Sequence, residues 1–153
     1  MQINQAINRR RLELGLTIDQ AAIAAGLGES EYLDMELYPD EALSVATLGQ
    51  LRATCRALEL DLAQLLTIGE RPVEAYPEEY RGNPRDKILR ERRQSCGMSP
   101  NELSEKLGFK EIVVEQMETD PDFLEGWSVE LVRTLASTLG LPQEILLLPV
   151  PRA

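Results

Sequence analysis

Gly15-Leu-Thr-Ile-Asp-Gln-Ala-Ala-Ile-Ala-Ala-Gly26-Leu27 and its counterpart Gly97-Met-Ser-Pro-Asn-Glu-Leu-Ser-Glu-Lys-Leu-Gly108-Phe109 decide how this chain folds. In each stretch a hydroxyl residue, Thr17 or Ser99, stands three positions before Gln20 or Glu102. That spacing is a capping box, in which the hydroxyl satisfies an early backbone N–H and the longer side chain reaches back to the cap. Pro100 suits a first helical position. A helix of about seven or eight residues then runs to Gly26 or Gly108, where a tight turn must reverse the chain into a further helix ending near Leu37 or Thr119.

Working outward, the upstream helix places Ile7, Arg11 and Leu14 at i, i+4 and i+7 and ends at Gly15, a residue that accepts the left-handed cap conformation. Its second version carries Leu89 and Arg93 and ends at Gly97. Downstream, Thr47-Leu-Gly-Gln50 is another capping box, opening a helix with Leu48, Leu51, Cys55 and Leu58 on one face. Ser128 opens its twin, with Val129, Val132, Ala136 and Leu139. Asp61-Leu-Ala-Gln64 and Pro142-Gln-Glu144 begin a short fifth helix in each half.

The halves are copies. A shift of 82 maps Arg11, Gly15, Gly26, Met35 and Glu36 onto Arg93, Gly97, Gly108, Met117 and Glu118. After a one-residue loop deletion, a shift of 81 maps Thr47 onto Ser128, Leu58 onto Leu139, and Leu65-Leu66 onto Leu146-Leu147. The expected organisation is all-α: one five-helix domain over 1–66, a linker over 67–86, and a second five-helix domain over 87–153. The linker carries Pro72, Pro77, Gly82 and Pro84 among charged residues. Its twenty residues would stretch to roughly 65 Å, so it would not dictate how the copies dock.

Composition narrows the chemistry. The 153 residues hold 26 Asp and Glu against 16 Lys and Arg, a formal charge of −10, with 43% apolar residues, enough for one or two small cores. Aromatics are 5%, so those cores are aliphatic. Histidine is absent and only Cys55 and Cys96 are present. Histidine acid/base catalysis, a Ser-His-Asp triad and a four-ligand Cys/His zinc site are thereby excluded. We expect no enzyme activity, metal or cofactor. No run approaches the roughly 18 apolar residues of a membrane span, and the first eleven residues lack a signal peptide's apolar core. The reading is a soluble cytoplasmic protein with no membrane partner.

The paired Gly-to-Gly stretches, with Glu36 and Glu118 each ten residues beyond the second glycine, resemble the lambda-repressor/Cro-type (XRE-like) helix-turn-helix family. The resemblance covers nearly all of residues 5–66 and 87–148. It implies structural ion pairs between helix 1 and the end of helix 3, at Arg11 with Glu36 and at Arg93 with Glu118. It also implies that helix 3 would enter a DNA major groove. Carried over, copy 1 would present Glu29, Ser30, Glu31 and Asp34, and copy 2 Lys110, Glu111, Ile112, Val113 and Gln116. Helix 1 and its preceding arm would touch the DNA backbone, which makes Arg9, Arg10, Arg85, Lys87, Arg90 and Arg92 the phosphate-contact candidates. Solvated charge neutralising nearby acids is the alternative reading for these cations.

Neither half is basic: residues 1–70 hold 11 acids and 5 bases, and residues 87–153 hold 11 and 8. Duplex DNA carries one charge per about 1.7 Å, so Glu29, Glu31 and Asp34 facing phosphates would repel it. Two functions remain from this reading. One is a DNA-binding transcriptional regulator with atypical acidic recognition helices. The other is a protein-binding module, antitoxin-like or an adaptor, that has lost DNA binding and takes a basic protein. The apolar tail Ile145-Leu-Leu-Leu-Pro-Val150-Pro suggests docking against the other copy or a second chain, a homodimer through the tail being one form of this.

Overall fold

The protein is described by a computed structural model over residues 2–69 and 71–148. Among the described residues it is all-helical, with no strand. It forms two compact units, one of residues 1–69 with 127–129, the other of 70–126 with 130–153.

In the first unit α1 (Ile3–Glu13), α2 (Ile18–Ala25) and α3 (Glu29–Leu37) are followed by a π-helical turn at Glu41–Val45, then α4 (Leu48–Ala57) and α5 (Leu62–Leu65). Thr17 and Thr47 accept from the backbone N–H of Gln20 and Gln50 at 3.1 Å, and the two glutamine side chains bond back. Gly26 takes φ +70°, the left-handed turn that sends α2 into α3. Ala21, Ala22 and Ala25 face inward from α2, and such small side chains let α3 and α4 approach it closely. The core between them is Ile7, Tyr32, Met35, Leu48, Leu51, Cys55 and Leu58, each no more than 3% exposed. The Leu48 N–H, in the first turn of α4 where helical N–H groups lack partners, donates to the Trp127 carbonyl at 2.7 Å, within the same unit.

The second unit repeats the order: α6 (Arg85–Ser95), α7 (Pro100–Leu107), α8 (Glu111–Met117), α9 (Val129–Leu139), which it holds from residue 130 on, and α10 (Gln143–Leu147). The first three begin 82 residues after their counterparts, as Arg85 does after Ile3, and the last two begin 81 after, as Val129 does after Leu48. Ser99 caps α7 and Gly108, at φ +75°, turns it into α8. Leu89, Leu103, Met117, Leu124, Leu135, Leu139 and Leu146 build its core.

The segment read as a spacer carries packing of its own. Short 3₁₀ turns occupy Val73–Ala75 and Glu78–Tyr80. Tyr76 is buried, and its hydroxyl donates to Glu144 of α10 at 3.3 Å. Arg71 pairs with the same carboxylate at 3.4 Å and lies 5.0 Å over the Tyr76 ring. Arg81 donates to the Tyr76 carbonyl, which ties the two 3₁₀ turns together.

Candidate functional site

Arg11 and Glu36 are brought together in the first unit, Arg93 and Glu118 in the second. Arg11 Nε lies 2.9 Å from Glu36 Oε2 and 3.1 Å from Oε1. In the second unit the pairing is two-pronged, with Arg93 Nε to Glu118 Oε2 at 2.7 Å and Nη2 to Oε1 at 2.9 Å. All four residues are buried. Each guanidinium also donates Nη1 to the carbonyl that follows its helix, Leu16 or Met98. The carboxylate hydrogen bond raises the pKa of Arg11 and of Arg93 above the ordinary arginine value, outweighing burial. The first pair has one further donor, Asn8 Nδ2, at 2.6 Å from Glu36. Beside it the Tyr32 hydroxyl is buried, and burial, followed by the Glu36 charge, pushes its pKa up.

The six phosphate-contact candidates divide. Arg10 Nε donates to the Leu58 carbonyl at 2.9 Å, and Arg92 Nε to the Leu139 carbonyl at 2.6 Å. These are carbonyls at the C-terminal end of α4 and of α9, where a cation meets both an orphan acceptor and the negative end of the helix dipole. Arg10 also pairs with Glu13 and Glu59. Arg85 is buried and pairs with Glu125 at 3.1 Å. Lys87 lies 4.0 Å from Glu91, one turn along α6. Among the described residues Arg9 and Arg90, both exposed, make no ion pair or side-chain hydrogen bond. The structural use of Arg10 and Arg92 has a signal in the chain: they stand 82 apart, as Arg11 and Arg93 do.

The helix-3 candidates lie on α3 and α8. Glu29, Ser30 and Glu31 are exposed in the first turn of α3, and Asp34 is half-buried one turn on. Acids at a helix start meet the positive end of the dipole, which is a structural reason for Glu29 and Glu31 that Asp34 does not share. Glu31 also accepts from Gln50 Nε2 at 2.9 Å. Among the described residues Glu29 and Asp34 make no ion pair. In α8, Lys110 is the N-cap, Glu111 and Gln116 are exposed, Ile112 is 53% exposed and Val113 is half-buried.

A wider charge pattern surrounds α3. Between Arg11 and Arg52 the chain carries eight carboxylates and no lysine or arginine, and this interval spans α2, α3 and the π-turn. Among the described residues only Glu36 of the eight is buried against a cation. The counterpart interval in the second unit holds Lys106 and Lys110, so the two units differ in charge over these elements.

Among the described residues no group of three or more Cys, Asp or Glu side chains is placed to hold a metal ion. No helix of the described residues is long and apolar enough to cross a membrane. In the apolar tail, Ile145, Leu146 and Leu147 are buried, and Pro149, Val150 and Pro151 lie outside the described residues. Comparison with family models, with curated proteins and with solved structures gives no match.

Proposed function

We propose that the chain is a regulatory protein built on two helix-turn-helix units, and that its first unit acts by binding a cationic protein in place of an operator. The observation that carries this reading is the interval between Arg11 and Arg52, with its eight acids and no base. A duplex approaching α2 and α3 would meet carboxylates where affinity requires cations that displace counterions. A single acidic reader can accept from cytosine N4, but only within a basic surround. The surround here is weakened further, because Arg10, Arg85 and Arg92 already serve carbonyls and carboxylates of their own unit. A basic protein surface meets the reverse situation, since complementary charge speeds encounter and selects the partner.

The competing reading, a transcriptional regulator on duplex DNA, would have to draw its phosphate contacts from Arg9, Lys87 and Arg90. One titration separates the two. Fluorescence anisotropy of labelled random duplex at low salt is expected to show no binding, whereas a labelled polylysine-containing peptide binds and is released as salt rises. Asp34→Lys is the informative variant, because Asp34 carries no dipole or cap role: it should weaken peptide binding while leaving the circular dichroism spectrum unchanged. Retention of duplex DNA with a steep salt dependence would overturn the proposal.

A further inference from the structure

Leu37 and Tyr38 close α3 and Val45 closes the π-turn; they are 56%, 56% and 65% exposed. Leu12, Ile23, Ile112 and Leu131 are exposed too; Leu37 and Tyr38 differ in being adjacent, with the π-turn that ends at Val45 packed against the end of α3. Single exposed apolar residues need no explanation, whereas a local group marks a surface that another molecule covers. Asp34, Asp40 and Glu41 flank this group. Asp34 precedes Leu37 by three residues, which puts the two on one face of α3, and Tyr38 follows as the C-cap. The Tyr38 N–H donates to the Asp34 carbonyl, and the Glu41 N–H to the Tyr38 carbonyl, so the turn holds acids and apolar residues together. Among the described residues Asp34, Asp40 and Glu41 make no ion pair.

The occupant follows from this chemistry. DNA offers phosphates to a rim that is already negative. A second copy joined face to face would set the same carboxylates against each other, since a two-fold interface apposes identical patches. A cationic segment with bulky apolar side chains satisfies both parts of the surface. We propose that Leu37, Tyr38 and Val45 anchor the apolar side of such a segment, an amphipathic Lys/Arg-rich stretch of another protein, while Asp34, Asp40 and Glu41 hold its cations. This rests on the protein-binding reading of the first unit and adds the place and the chemistry of contact.

The test uses the whole chain and two labelled peptides, one an amphipathic helix of Lys and Leu, the other with every Leu replaced by Ser. The Lys/Leu peptide is expected to bind at least roughly tenfold tighter than the Lys/Ser peptide, because its Leu side chains remove apolar surface from water on both partners. Tyr38→Ser/Val45→Ser alters only exposed side chains and should remove that advantage, while Asp34→Asn/Asp40→Asn weakens both peptides. Equal affinity of the two peptides for the unaltered protein overturns the anchor and leaves the cationic-partner reading standing. Failure of both peptides at low salt overturns both. Self-association in sedimentation velocity that is lost in Tyr38→Ser/Val45→Ser assigns the patch to a second copy, and binding of labelled duplex DNA, without peptide, that is lost in the same variant assigns it to nucleic acid; either result overturns the proposal.

Discussion

At the residue scale, stability in each unit depends on a buried ion pair whose remaining donors are met by carbonyls. Such a pair gains little over apolar packing of equal volume, but removing one partner strands a desolvated charge. Glu36→Gln and Glu118→Gln are therefore expected to cost about 3–5 kcal/mol each, read as a fall in the urea midpoint of the unit concerned. The two cysteines make a contrast. Cys55 is buried on the inner face of α4, and burial pushes its pKa up to about 11 from an ordinary 9.0. Cys96 is exposed. Titration with an aromatic disulfide reagent at about pH 8 should show one reactive thiol in the native protein and two after denaturation. Prompt reaction of both native thiols would mean that α4 opens readily.

At the element scale the two units solve one problem differently. After α4 and after α9 the chain enters the left-handed region, at Glu59 with φ +55° and at Gly140 with φ +66°. A Cβ at Gly140 would lie 3.0 Å from Arg92 Nη2, the side chain that caps the end of α9. Gly140→Ala should thus cost about 1 kcal/mol in backbone strain and more as Arg92 shifts, whereas Glu59→Gly should be neutral or stabilising. In Glu59→Gly the relief of strain is opposed by the greater freedom of glycine in the unfolded chain and by loss of the exposed pair with Arg10. Thermal midpoints of the two variants test the sign. Most helices were legible because caps and turns are local chemistry: Thr17, Thr47, Asp61 and Ser99 announce helix starts, and Gly26 and Gly108 announce a turn. The π-turn at Glu41–Val45 carries no such mark. Neither does the folding of Tyr76 onto Glu144, since it joins residues 68 apart in a stretch whose prolines read as a spacer. The roles of Arg10 and Arg92 show in the chain only as their 82-residue spacing, because a long guanidinium next to solvent has the same local signature whether it faces phosphate or a helix end.

At the scale of the whole molecule, the acidic surplus and the buried protons act in one direction as pH rises. Cys55, Tyr32 and Tyr76 are each held protonated by burial, with neighbouring Glu36 or Glu144 adding to the effect at the tyrosines. A group whose folded pKa is raised contributes stability that is present below its unfolded pKa and disappears as pH climbs toward the folded one. For Cys55 that window opens near 9.0 and closes near 11, and the tyrosines extend it upward from 10.0. In the window the unfolded chain sheds protons that the folded chain keeps, and every proton shed enlarges a net charge already at −10. The urea midpoint is therefore expected to hold from about pH 7 to 8.5 and to fall beyond pH 9, Cys55 alone contributing on the order of 2 kcal/mol by pH 11. Cys55→Ala should flatten the lower part of that fall and leave the part above pH 10 governed by the tyrosines. A midpoint that stayed level to pH 11 in the unaltered protein would mean that water reaches these groups in the folded state.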